Sequence, residues 1–329
     1  MDPVPYNLTS HETLRYLHYP EPSTNDENNG SHIIQKVSIT LLSIILILGI
    51  IGNGLVIWIA GFRMKKTISA VWFLNLAIAD FLCCLFLPLN IARWANIDLC
   101  SPFSTIVFCS LDIFLFSINM SASVLLLTAM SVDRWVSVMW PFWAKVHRTQ
   151  KLVRITVGII WGLSLVLSVL MSFLLELLLM DSLISFSSQD RKINPELLWL
   201  FLLFVIPFLV ISTSYVTIYL KLRKSKRPQR SQRPYRIITA VILCFFICWA
   251  PYYVWPHIDW FHQGGFQTHI VDVITIILAY LNSCINPIIY VIMGQDFRDG
   301  FLRSIPFRIE KALSEEEQDD REPAPSTDV

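Results

Sequence analysis

Seven stretches of this chain are each apolar and long enough to cross a bilayer, and that repetition restricts the fold more than any single motif. A crossing needs about 20 mostly apolar residues. The runs lie near Val37–Phe62, Ile68–Ile91, Phe103–Val138, Ile155–Leu179, Leu197–Leu220, Ile237–Trp255 and Ile270–Met293. In lipid the backbone must satisfy its own N–H and C=O groups, so runs of this length are read as helices. A composition of 54% hydrophobic and 16% charged residues is more than a soluble core can use. The expectation is an all-α membrane protein, a seven-transmembrane helix bundle with no second domain. Residues 1–34 would form an outer tail, 35–294 the bundle, 295–308 a short amphipathic helix and 309–329 a disordered cytoplasmic tail.

Orientation follows from the cations of the short loops. Arg63, Lys65 and Lys66 follow the first span, and Lys145, Arg148, Lys151 and Arg154 follow the third. Lys221, Arg223, Lys224, Lys226, Arg227, Arg230, Arg233 and Arg236 follow the fifth, while the alternate loops carry few. The basic loops are expected in the cytoplasm and the N-terminus outside. Two N-glycosylation sequons, at Asn7 and Asn29, lie on that outer side. No signal-peptide pattern precedes the first span, which would act as its own anchor. The leader's Tyr6, Tyr16 and Tyr19 stand among acids, and it reads either as a solvated tail or as an acidic landing strip for a cationic ligand. Phe297, Phe301 and Ile305 recur every four residues beside Arg298 and Arg303, as in a helix lying on the membrane surface.

Polar groups inside the spans are costly and mark function or a buried network. Asp80 is the only acid of the second span. Asn119 and Ser123, one turn apart on the third, and Asn282, Ser283 and Asn286 on the seventh are candidates to face it. Such an oxygen-rich cluster suits either a monovalent cation or a purely structural hydrogen-bond network, and spacing leaves the two equal. Pro287 removes a backbone donor in the same place and creates a deformable point.

Gly52-Asn53, Leu76-Ala77-Ile78-Ala79-Asp80, Asp133-Arg134-Trp135, Trp161, Pro207 with Tyr215, Cys248-Trp249-Ala250-Pro251 and Asn286-Pro287-Ile288-Ile289-Tyr290 occur in order, one set per span. Together they resemble the landmarks of rhodopsin-like G-protein-coupled receptors. The resemblance implies a plasma-membrane switch in which an outer agonist moves the sixth span outward and a heterotrimeric G protein enters from the cytoplasm. It implies that Asp133 holds Arg134 at rest and that Arg134 then turns to Tyr215, Tyr290 and the G protein. Ser231 replaces the acid of a second clamp, which implies appreciable resting activity. Trp249 would be the lever, with Phe245 and Pro207 repacking beneath it and Asn286, Pro287 and Tyr290 completing the switch. Asp80, Asn119, Ser123, Asn282 and Ser283 match the family's allosteric sodium site; no other cofactor is implied.

Asn53 to Met64, Phe142-Trp143, His147-Arg148-Thr149, Asn282-Ser283-Cys284 and Gly294-Gln295-Asp296-Phe297-Arg298 resemble the formyl-peptide and chemerin-type chemoattractant branch, while Met139-Trp140-Pro141 is similar to Mas-related receptors. The branch implies an inhibitory-family G protein; arrestin and membrane lipids are further partners of the reading, and no nucleic acid is. Formyl-peptide receptors use an acid and arginines where Ser117, Pro195 and Trp199 stand here, so a different ligand is expected. The outer cavity would be bounded by Asn90, Arg93, Trp94, Asp112, Phe116, Trp199, Tyr253, Trp255, His257 and Asp272. A basic amphipathic peptide suits it, with a lipid carboxylate held by Arg93 as the competitor. Cys109 stands where the family's third-span cysteine normally bonds the second outer loop, yet 176–196 has no cysteine. Cys100 and Cys109 are left either bridged locally or reduced. No retinal-binding lysine, transporter repeat or enzyme signature appears, and a non-signalling scavenger receptor is the alternative function.

Overall fold

The computed structural model describes residues 25–63, 67–95, 102–184, 195–224, 233–259 and 266–293. Asn7, Cys100, the surface helix expected over 295–308 and the C-terminal tail lie outside them. Among the described residues, seven helices are long and apolar enough to cross a membrane. They are Asn25–Trp58 with a π-helical end at Ile59–Arg63, Ile68–Trp94, Pro102–Met139, Gln150–Ile184, Pro195–Lys224, Arg233–Asp259 and Phe266–Met293. Each contains the corresponding apolar run. The first begins at Asn25, inside the stretch assigned to the tail, so Asn29 stands on helical backbone.

Two local features were not anticipated. A short helix, Pro141–His147, sits between the third and fourth spans, with proline at its start, where a missing N–H costs nothing. The fifth span contains a π-helical turn at Phe201–Val205, closed by the Ile206 N–H donating to the Phe201 carbonyl. Pro207, immediately after it, cannot donate to the turn above.

Several buried hydroxyls are satisfied along their own helices, as an apolar surrounding favours. Ser38, Ser121, Ser131 and Ser168 each donate to the carbonyl four residues back at 2.7–2.8 Å. Large apolar side chains such as Ile51, Ile159 and Ile247 face outward, more than 60% exposed, which lipid tolerates. The third span packs against the second, fourth and fifth, and the seventh against the first, second and sixth. The main core, around Leu76, Val124, Phe245, Trp249 and Tyr290, runs through the middle of that arrangement.

Candidate functional site: outer cluster and transmission core

At the outer end, Asp112 and Asn90 are buried side by side. Asn90 Nδ2 donates to Asp112 Oδ2 at 2.9 Å and approaches the Tyr280 hydroxyl at 3.3 Å, and that hydroxyl lies 3.4 Å from Asp112 Oδ1. Second, third and seventh spans are thereby tied through one carboxylate. Tyr280 was not singled out from sequence, although its helical spacing to Ser283 and Cys284 marked an inward face. Asp272 accepts from Trp255 Nε1 at 2.7 Å, joining sixth and seventh spans. His257 is half-buried between them and the surface.

Phe116 links this level to the next. Its ring lies 5.3 Å from Trp249, 5.4 Å from Tyr252 and 5.0 Å from Tyr280, in tilted or edge geometries that the ring quadrupole favours. Trp249 is fully buried, with Phe245 6.0 Å below it and Tyr253 6.3 Å beside it. Two residues expected to bound the outer cavity are buried. Trp94 belongs to a second core cluster of the first, second and seventh spans, with Leu42, Ile45, Leu87 and Tyr280. Trp199 is buried in a narrow crevice with Ser117, Ser121, Leu167 and Ser168, against the third and fourth spans. The Arg93 side chain is outside the described residues.

Midway down, the polar residues read from the apolar runs meet. Asp80 accepts from Asn119 Nδ2 at 3.2 Å and from Asn286 Nδ2 at 2.8 Å, and the Ser283 hydroxyl lies beside it. Ser123 Oγ and both amide atoms of Asn282 are buried without a hydrogen-bond partner among the described residues. These oxygens, with Oδ1 of Asn119 and Asn286, fit the donor set of a hard monovalent cation: one carboxylate and several neutral ligands. Pro287 has no N–H to give the Ser283 carbonyl four residues earlier, and Asn53 Nδ2 takes its place at 2.7 Å. The same amide donates to Gly49 O at 3.0 Å. The proline break is thus repaired from the first span, a role for Asn53 beyond its value as a landmark.

The end of the bundle that carries Arg134, expected to be the cytoplasmic one, departs from expectation. Asp133 does not hold Arg134: its two carboxylate oxygens accept from Arg148 Nε and Nη2 at 2.6 and 2.7 Å. Arg134 Nη2 instead donates to Ser69 Oγ at the start of the second span. Neighbouring residues on a helix point about 100° apart, so one partner cannot easily serve both. Nearby, Tyr290 is fully buried with its ring 4.8 Å from Phe73, Tyr215 is half-buried on the fifth span, and Lys221 Nζ donates to the terminal Met139 carbonyl of the third. Trp161 Nε1 donates to Asn75 Oδ1 at 3.1 Å, fixing the fourth span to the second.

The family model described as "7 transmembrane receptor (rhodopsin family)" matches residues 52–290. The chain is similar to a C3a anaphylatoxin chemotactic receptor of Oncorhynchus mykiss, 37% identical over 91% of this chain and 85% of the relative. It is also similar to Chemerin-like receptor 1 of Sus scrofa, 37% identical over 86% of this chain and 84% of the relative. Formyl peptide receptor 2 of Mus musculus is 35% identical, over 87% and 88%. A multi-pass plasma-membrane receptor rather than an enzyme accounts for these likenesses and for the seven spans. The chain belongs to the rhodopsin family of G-protein-coupled receptors, within its chemoattractant group.

Proposed function

We propose that this receptor, with its N-terminus outside, binds an extracellular peptide bearing a basic residue and activates an inhibitory-family heterotrimeric G protein through outward movement of the sixth span. The carrying observation is the position of Phe116, in contact with the Tyr280 ring of the Asp112 cluster and with the Trp249 lever at once. A cation drawn to Asp112 and Asp272 shifts Tyr280 and Trp255, and Phe116 passes that shift to Trp249. Phe245 repacks beneath Trp249 and frees the inner half of the sixth span. The relatives' names point to C3a, chemerin-type and formyl-peptide ligands; the acids here favour a basic peptide over a formylated one.

The test is a panel of G-protein families with peptide and lipid agonists applied to cells expressing the receptor. Once a basic peptide agonist is found, Asp272→Asn is expected to weaken its binding about tenfold or more, the worth of a charge-assisted hydrogen bond of about 1.5–3 kcal/mol. The asparagine keeps an acceptor for Trp255. Unchanged affinity in radioligand competition would reject the acidic subsite, and selective loss in Arg93→Glu would favour the lipid carboxylate.

The Asp80 cluster is the proposed sodium site. Sodium there would bridge the second, third and seventh spans and oppose their rearrangement, so it lowers agonist affinity by linkage. Asp80→Asn is expected to make agonist affinity indifferent to sodium. A retained difference between sodium and an equal concentration of a large organic cation would contradict this.

A further inference from the structure

The pair formed by Asp133 and Arg148 belongs to no step of the switch described above, yet it occupies the carboxylate on which that switch is expected to rest. Arg148 is not a freely moving loop residue. Its backbone N–H donates to the Ala144 carbonyl, ending the short helix. Its neighbour Thr149 accepts from the Leu152 N–H and opens the fourth span. Held between these two helix ends, its guanidinium meets the carboxylate in the bidentate geometry that gives Arg its strongest pairings. The side chains are 24% and 10% exposed, so salt screens the pair less than a surface pair.

Arg134 Nη2 donates to the Ser69 hydroxyl. We infer that Arg148 is a positioning residue for G-protein activation: by holding both oxygens of Asp133 it keeps that carboxylate from clamping Arg134. The inference rests on the receptor reading above but not on the G-protein family. It assigns elevated agonist-free exchange to the second cytoplasmic loop, separately from Ser231, which precedes the sixth span in sequence.

The experiment uses the full-length receptor in nanodiscs with purified heterotrimers of each G-protein family and no agonist, reading nucleotide exchange at matched receptor amounts. The parent is expected to exchange on at least one heterotrimer. Arg148→Gln is expected to lower that rate about three- to tenfold, because Asp133 then turns to Arg134. Adding Asp133→Asn to the same chain should restore it, since no carboxylate remains to clamp Arg134. Were Arg148 merely holding the loop in place, the double variant would stay as slow as the single one, and that result overturns the inference. So does an unchanged rate in Arg148→Gln, or a parent silent on every heterotrimer. If Arg148→Gln does not reach the membrane, Arg148→Lys provides the same comparison, with a smaller fall expected from a single-point contact and the same recovery on adding Asp133→Asn. Exchange through a family other than the inhibitory one would correct the coupling proposed above and leave this inference standing.

Discussion

Arg134→Ala should reduce agonist-driven nucleotide exchange to background while leaving agonist affinity in the absence of G protein within about twofold of the parent, a difference of about 0.4 kcal/mol. The reason is distance along the bundle. Arg134 lies at the inner end of the third span and bonds Ser69, whereas the acids proposed for the ligand, Asp112 and Asp272, lie at the outer ends of the third and seventh. Between them stand Phe116, Trp249 and the Asp80 cluster. Loss of one inner guanidinium removes the group that would enter the G-protein contact without altering the outer carboxylates. Exchange equal to that of the parent at matched surface density would refute the assignment. Loss of ligand binding at low G-protein levels would show that Arg134 is part of the bundle's architecture instead.

The second large effect concerns packing between the first and second spans. Helices in lipid gain little from burial of apolar surface and associate through close backbone approach, which small residues permit. Gly49 supplies that approach: a methyl group there would come within 2.2 Å of Cys84 Sγ and 3.1 Å of its Cβ. The thiol can rotate, but its Cβ cannot withdraw without moving the helix. Gly49→Ala is expected to cost about 1–3 kcal/mol, the range for overpacking a tight core, and to lower the melting temperature of the purified receptor. Gly49→Leu should not reach the cell surface. Cys84→Ala should recover part of the loss in Gly49→Ala by removing the closer contact. A parent-like melting temperature for Gly49→Ala alone would show that the two helices are not pressed together there.

The seven spans were legible because lipid imposes a length and a polarity on each helix, and those constraints are written directly into the chain. Their ends were not. Hydropathy sees the part of a helix inside the hydrocarbon, while backbone hydrogen bonding carries the first back to Asn25. The Asp80 cluster was legible as well, since isolated polar residues in apolar runs have few places to go. Its link to the first span was not, because the need for Asn53 arises only when Pro287 leaves the Ser283 carbonyl without a donor. The resemblance paired Asp133 with Arg134, whereas in the structure the Asp133 carboxylate is bonded by Arg148, fifteen positions on. Trp94 and Trp199 are both buried against neighbouring helices, a setting that suits amphiphilic rings near a membrane boundary as well as a cavity wall does.

The π-helical turn at Phe201–Val205 has an angular consequence. A surplus residue in one turn offsets everything beyond it by about 100°, the rotation of one position in an α-helix. A wheel drawn without a break through the fifth span therefore assigns Trp199 the wrong azimuth. In the folded chain that indole is swung against Ser117 and Ser168. Deleting a single residue within the turn would rewind the outer segment and present a different side chain to that seam, with every contact below Pro207 left in its original phase.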